Sequence, residues 1–417
     1  MWNLAGMGLP SLVGIASIPY LIRHIGIEAF GILTLIWALI GYFSLFDFGL
    51  GRALTQQIAS RKGTNQQWEI PMLAKSGLVF TGCTGSAGGL LLALLAHRLA
   101  NDWLNVSAGL APDTATSLLV AALGIPPTTF TTGLRGISEA YEDFKAINLI
   151  RILMGVATFG LPVASVMLFG PSLPLIVAAL VVARLAALAG QWWLVNESLP
   201  SGWLRCQAQA RYVKGLISLS VWMTISNIIG PLVLTIDRFL IAAIIAAGVV
   251  AFYTVPSETI IRLLMLPAAL TGALFPRLAS YWQEDRGGAK DLYFRCLKLV
   301  AMVMGPLCLV IALGSYWGLS LWLSSEFASQ SWLIASILSV GIFLNSIAFV
   351  PFATIQAVGK AKATALINIG VLIVYVPILL LFLTWFGIIG AAIAWVLRAL
   401  LDVLLLLVAA KKTLERS

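Results

Sequence analysis

Of the 417 residues, 60% are apolar and only 10% are charged, with 26 Lys and Arg against 17 Asp and Glu for a net charge of +9. An ordinary soluble domain is about 25% charged; this chain has too few charges to cover a soluble surface, and its apolar excess excludes disordered and fibrous classes as well. What remains is an all-α polytopic membrane protein. A β-barrel does not fit, because the apolar residues run continuously instead of alternating.

A helix crosses a bilayer with about 20 apolar residues. In chain order such runs fall at 2–22, 30–51, 70–96, 114–134, 146–169, 172–195, 214–236, 248–276, 297–316, 330–357, 363–386 and 388–410, which predicts twelve transmembrane helices. The stretch 237–247 is apolar but too short to span and is attached to the seventh helix. The eighth run is long enough to project beyond the lipid. No cleavable signal peptide is visible. The first run opens with no basic residue before it, which suggests a reading frame that starts a few residues late.

Charge alternates from loop to loop. Twenty of the 26 cations fall on one side, from Arg52, Arg61, Lys62 and Lys75, through Arg135, Lys145 and Arg151, to Lys411, Lys412 and Arg416. The opposite side has Arg23 and Arg98, and Arg184, Arg238, Arg262 and Arg398 lie within spans. By the positive-inside rule both termini are cytoplasmic and the number of spans is even. Cations spread over six separate segments, with no aromatic-basic module, give no nucleic-acid site. The outward loops are short. The longest, near 97–113, contains the formal glycosylation triplet Asn105-Val106-Ser107.

The halves resemble each other at a spacing of about 220 residues. Gly26, Ala29 and Phe30 recur as Gly248, Ala251 and Phe252; Ala59-Ser60 recurs as Ala279-Ser280, and Ile147-Asn148 as Ile367-Asn368. Six helices per copy make the copies parallel, related by a pseudo-two-fold axis along the membrane normal. The expected domains are two six-helix bundles, 1–200 and 201–417. Prolines within spans, Pro126, Pro127, Pro256 and Pro306 among them, allow bends, although membrane helices tolerate proline generally.

An ionised side chain at mid-bilayer costs about 2.5–3.5 kcal/mol. This chain nevertheless places Asp47, Arg184, Asp237, Arg238, Glu258, Arg262, Arg398 and Asp402 in or near its spans. Glu258 with Arg262, and Arg398 with Asp402, are four apart and share a helix face; each pair either neutralises itself or faces a wet cavity. Arg184 has no local acid, which points to a cavity cation for an anionic group unless a distant acid such as Asp47 meets it. Arginine offers planar, permanently charged recognition of phosphate. Trp37, Tyr42, Trp222, Tyr253 and Tyr375 are either packed or able to stack on sugar rings. Four scattered cysteines and two distant histidines supply no disulfide framework, metal site or catalytic constellation.

Three stretches carry a family resemblance. Asn3 to Arg61 contains Pro19-Tyr20-Leu21-Ile22-Arg23 followed by Ile25-Gly26, and later Phe46-Asp47-Phe48-Gly49-Leu50-Gly51-Arg52-Ala53. The others are Ile236-Asp237-Arg238-Phe239-Leu240-Ile241 with Phe252-Tyr253, and Leu274-Phe275-Pro276-Arg277-Leu278. Together they resemble Wzx-type polysaccharide (O-antigen) flippases of the multidrug/oligosaccharidyl-lipid/polysaccharide exporter superfamily. The resemblance implies a bacterial inner-membrane protein of lipopolysaccharide assembly that moves undecaprenyl-pyrophosphate-linked oligosaccharide from the cytoplasmic to the periplasmic leaflet by alternating access, with no covalent chemistry. Related lipid II flippases use arginines on helices one and eight near the pyrophosphate, which Arg23 and Arg262 match; their second-helix arginine has no clear counterpart. The expected substrate-binding residues are Arg23, Arg262, Arg238, Arg184 and Arg398. Glu258, Asp237, Asp47 and Asp402 are expected to balance charge or carry a coupling proton or sodium ion. Other polysaccharide-assembly membrane proteins are the expected protein partners. A multidrug/cation antiporter of the same fold remains an alternative, and a membrane glycosyltransferase or polymerase a lesser one.

Overall fold

The computed structural model describes residues 2–43, 49–200, 202–216, 235–271, 281, 286–358 and 361–415. Among these residues the regular structure is helical throughout. The chain divides into two compact units, Met1–Gly248 and Val249–Ser417. This division by contact is a different quantity from the six-plus-six helix division expected at 200/201.

In the first unit the helices include α1 (Trp2–Ile25), α2 (Ile27–Phe43), α3 (Leu50–Arg61), α4 (Ile70–Arg98), α5 (Ala111–Ala140), α6 (Phe144–Phe169) and α7 (Leu173–Ser198), and residues 235–244 are helical as well. Their starts follow from local sequence. Pro71, Pro112 and Pro174 stand in the first turns of α4, α5 and α7, where a missing amide hydrogen costs nothing. Asp143 Oδ1 accepts from the Ala146 amide at 3.3 Å and caps α6. Only Gly26, at φ 86°, separates α1 from α2, a backbone conformation that favours glycine.

Helix α3 was not foreseen as an element of its own. It follows Gly49, itself at φ 70°, and buries Leu50, Leu54 and Ile58 against Leu73, Leu78 and Leu134. Its approach to α5 is very close: a methyl on Gly136 would lie 2.2 Å from the Gly51 carbonyl oxygen. Thr55 Oγ1 donates to the Gly136 carbonyl at 2.9 Å beside it. Helices α4 and α5 meet through small residues as well. A methyl on Gly89 would lie 2.8 Å from the Ala122 carbonyl, the group that Pro126 leaves without its usual amide donor four residues on. Small residues at helix contacts are the membrane solution to close packing. Beyond α7 the chain stays on this unit. Trp203, Tyr212 and Leu216 join the α3–α4–α5 core, and the Gln209 amide donates to Ser76 Oγ at 2.9 Å.

The second unit contains α8 (Val250–Ile261), continued by a 3-10 turn at Arg262–Leu264, then α9 (Arg286–Trp322), α10 (Ser325–Ala357) and α11 (Ala361–Glu415). Helix α10 is its centre, packing on α8, α9 and α11. Ser324 Oγ caps it, accepting from the Phe327 amide at 3.1 Å. Trp395 of α11 lies flat enough against α10 that a methyl on Gly341 would fall 2.5 Å from its ring. Helix α11 is broken at Gly387, where φ is 60° and ψ −142°. The chain reverses there, since a methyl on Gly390 would lie 1.9 Å from the Phe382 carbonyl oxygen. This break falls between the expected spans 363–386 and 388–410.

Eight helices among the described residues are long and apolar enough to cross a membrane, the last of them containing the Gly387 reversal. Two shorter apolar helices cover Leu9–Ile25 and Ile27–Tyr42. Most of the expected seventh span lies outside the described residues.

Candidate functional site

The expected site residues fall into several separate environments. In the first unit, α7 packs on both α5 and α6, whereas α5 and α6 touch little despite the short turn that joins them. The resulting groove has a volume of about 250 Å³ and is lined by Arg135, Arg151 and Arg184, with Thr128, Thr131, Thr132, Gln191 and the apolar Ile147, Ile150, Met154 and Ala187. Arg184, expected as a cavity cation, is half-buried. Its Nη1 donates to the Leu180 carbonyl at 3.1 Å. Arg135 stands at the exposed edge, its Nε donating to Glu139 Oε1 at 2.7 Å. Arg151 is half-buried, and its Nη2 is buried with no hydrogen-bond partner among the described residues. Gln191, buried, donates to Ser138 Oγ at 2.8 Å and ties α7 to α5.

Arg135 and Arg151 count as loop cations when read from charge alternation, and the structure places both on helices. A signal for the groove did exist. Thr128, Thr131, Thr132 and Arg135 stand at i, i+3, i+4 and i+7, a polar stripe along one face of the helix.

In the second unit a cavity of about 200 Å³ is lined by Asp402, Asn345 and Asn368 together with Phe349 and Phe352. The two asparagines are additions to the expected set. Arg398, one turn before Asp402, directs its guanidinium to aromatic rings, 5.0 Å from the Trp395 centroid and 5.9 Å from that of Tyr375, a cation–π arrangement. Its Nε and Nη2, and Asp402 Oδ1, have no hydrogen-bond partner among the described residues. The two groups therefore share a helix face without closing an ion pair. Glu258 and Arg262 are both half-buried, with the Glu258 carboxylate acting electrostatically on Arg262 across one turn.

The other described residues of the expected set are not among the lining of either cavity. Arg23 is exposed in the last turn of α1. Asp237 and Arg238 are buried, and Asp237 Oδ1 accepts from the Arg238 amide at 2.9 Å. Asp47 and Trp222 lie outside the described residues. Tyr253 and Tyr375 are fully buried, so they pack instead of offering a stacking face. Trp37 stands edge-on to Phe30 and Phe159. The triplet asparagine, Asn105, is engaged structurally, its amide donating to the Ala243 carbonyl at 2.7 Å while its own carbonyl accepts from the Ala247 amide. Among the described residues no group of His, Cys, Asp and Glu is arranged to hold a metal ion.

Comparison with known proteins adds what geometry alone does not supply. A Shigella flexneri protein named for O-antigen transport is 33% identical over 408 residues, covering 97% of this chain and 95% of its own. The uncharacterised Bacillus subtilis membrane protein EpsK is 22% identical over 381 residues, covering 88% of this chain and 73% of its own. Among solved structures, an inward-facing MATE-family multidrug resistance transporter of the MOP superfamily matches with a TM-score of 0.77 at 15% identity, over 100% of this chain and 95% of its own. The lipid II flippase MurJ matches with a TM-score of 0.76 at 13% identity, over 98% and 87%. These two likenesses establish the fold, a multi-helix architecture shared with both. The profile of the polysaccharide biosynthesis protein family matches residues 1–282, and with the full-length Shigella relative it shows that this chain belongs to that family.

Proposed function

We propose that the protein is a flippase that carries undecaprenyl-pyrophosphate-linked oligosaccharide from the cytoplasmic to the periplasmic leaflet of the bacterial inner membrane. The observation that carries this reading is the end-to-end similarity to a protein named for O-antigen transport. The reading has twelve spans in two six-helix bundles, both termini in the cytoplasm, and alternating access between the bundles. Arg23 and Arg262 attract the pyrophosphate, while Arg184, Arg238 and Arg398 line or brace the path. Intramembrane arginines are costly enough to need such a purpose. Asp237, Glu258 and Asp47 balance charge. Asp402, in a cavity with two amides and without an ion-pair partner among the described residues, carries the coupling proton or sodium ion. Other membrane proteins of polysaccharide assembly are its partners.

The test is complementation of a strain that lacks the gene. Arg262→Ala, present in the membrane at wild-type level, abolishes surface polysaccharide and causes lipid-linked oligosaccharide to accumulate. Wild-type polymer in that strain removes Arg262 from the mechanism. A second reading, export of cationic drugs, is favoured by the MATE-like fold. Ethidium uptake by inverted vesicles separates the two, since a cationic passenger is repelled by the arginines.

A further inference from the structure

The groove between α5, α6 and α7 carries an arginine series along its length. At about 1.5 Å of helix rise per residue, Arg135, Arg151 and Gln191 stand roughly 8 to 10 Å inward from the ends of their helices at Ala140, Phe144 and Ser198, and Arg184 stands about 21 Å inward. All of these residues line one cavity. One carboxylate, Glu139, meets the outermost arginine. Arg151 retains a buried Nη2 with no hydrogen-bond partner among the described residues, and Arg184 Nη1 donates to a carbonyl of its own helix. The threonine hydroxyls of Thr128, Thr131 and Thr132 bond back to α5 carbonyls, so the donors free to meet a ligand are guanidinium N–H groups. Such donors favour an oxyanion, and phosphate above all. Ile147, Ile150 and Met154, which share one face of α6 with Arg151, are apolar. A ligand with a phosphoryl head and a hydrocarbon tail satisfies both halves of this lining, and a free phosphate satisfies one.

We propose that this groove is a binding site for a lipid-borne phosphoryl anion, with Arg135 at its mouth, Arg151 partway in and Arg184 at its inner end. The inference deepens the flippase reading and rests on it only for the side of the membrane on which the mouth opens. It locates an anion site wholly within the first unit, and two of its three arginines, Arg135 and Arg151, lie outside the set expected from the sequence.

The experiment uses the full-length protein in detergent and native mass spectrometry, with farnesyl pyrophosphate as the probe and farnesol, inorganic pyrophosphate and phosphatidylglycerol as comparisons. Farnesyl pyrophosphate binds, farnesol does not, and inorganic pyrophosphate binds more weakly. Arg151→Gln and Arg184→Gln each weaken the probe by about tenfold or more, the size of one lost charge-assisted hydrogen bond. Arg151→Lys recovers part of that loss, and Arg205→Gln, which is not among the lining residues, leaves affinity unchanged. Phosphatidylglycerol binding as tightly as the probe keeps the site and assigns it to bulk anionic lipid, separating it from the transport reading. Wild-type affinity in a correctly folded Arg151→Gln/Arg184→Gln double variant overturns the proposal, as does inorganic pyrophosphate that binds as tightly as its lipid form. Wild-type surface polysaccharide in the Arg262→Ala strain counts against the flippase role of that residue and leaves this site standing.

Discussion

Gly136→Ala tests the packing that positions the groove. The new methyl would lie 2.2 Å from the Gly51 oxygen, 2.8 Å from its carbonyl carbon and 2.9 Å from its Cα. All three are backbone atoms, so no rotamer change relieves the contact. Ordinary carbon contacts fall near 3.5–4.0 Å, so α3 and α5 must part by about 1 Å or more. Overpacking of this kind costs about 1–3 kcal/mol. Parting also stretches the 2.9 Å bond from Thr55 Oγ1 to the Gly136 carbonyl, a further loss of about 0.5–1.5 kcal/mol. The expected total is about 2–4 kcal/mol, read as a clearly lowered thermal midpoint of the detergent-solubilised protein by intrinsic fluorescence. Because Arg135 precedes Gly136, probe binding in the groove weakens too. Gly314→Ala, where a methyl meets nothing within 4 Å, is the matched control. A Gly136→Ala protein that melts with the wild type refutes the close approach of α3 to α5.

Gly390→Ala forces a methyl to 1.9 Å from the Phe382 carbonyl oxygen, so it lowers the thermal midpoint by an amount matching about 1–3 kcal/mol; an unchanged midpoint denies the reversal at Gly387. Asn105→Ala removes the bond to Ala243 and leaves a non-glycine residue at φ 44°, a cost of about 1–3 kcal/mol. Faster proteolysis of the 99–110 segment in the detergent-solubilised protein checks it, and an unaltered cleavage rate counts against the tie. Asp402→Asn, which keeps the shape of the cavity but removes its charge, sharply reduces surface polysaccharide at normal membrane level in the complementation assay. Full polymer production excludes Asp402 from ion coupling.

The sequence disclosed the class of fold and much of its helix order because membrane crossing imposes a length and composition that few other structures share. Helix α3 was hidden for the converse reason: it is short and polar, and its buried face exists only because Gly51 and Gly136 let two backbones touch. Charge alternation identified Arg135 and Arg151 as cations near a membrane face, but loop-counting cannot distinguish a snorkelling arginine from one that lines a groove, since both stand near a helix end. Arg184 was legible as an unbalanced charge in an apolar run. For Arg398 and Asp402, spacing on one helix predicted a shared face and was silent on the neighbours. Trp395 and Tyr375 take the guanidinium, and Asn345 and Asn368, from other stretches of the chain, surround the carboxylate. Tyr375, Asn345 and Asn368 depend on tertiary approach, which no local pattern encodes, whereas Trp395, three residues before Arg398, lies within reach of the same spacing.

The reversal at Gly387 also bears on how the protein enters its membrane. With a single residue at the bend, the two arms of α11 have almost no polar segment between them to drag through hydrocarbon, and most backbone amides pair within their own arm. The pair can therefore partition from the translocation channel as one preformed hairpin, with the exposed rings of Trp385 and Phe386 at its leading tip to settle at the far interface. Lengthening that tip with charged residues would turn a single insertion event into two, the second of which must carry its own burden of polar chain across the bilayer.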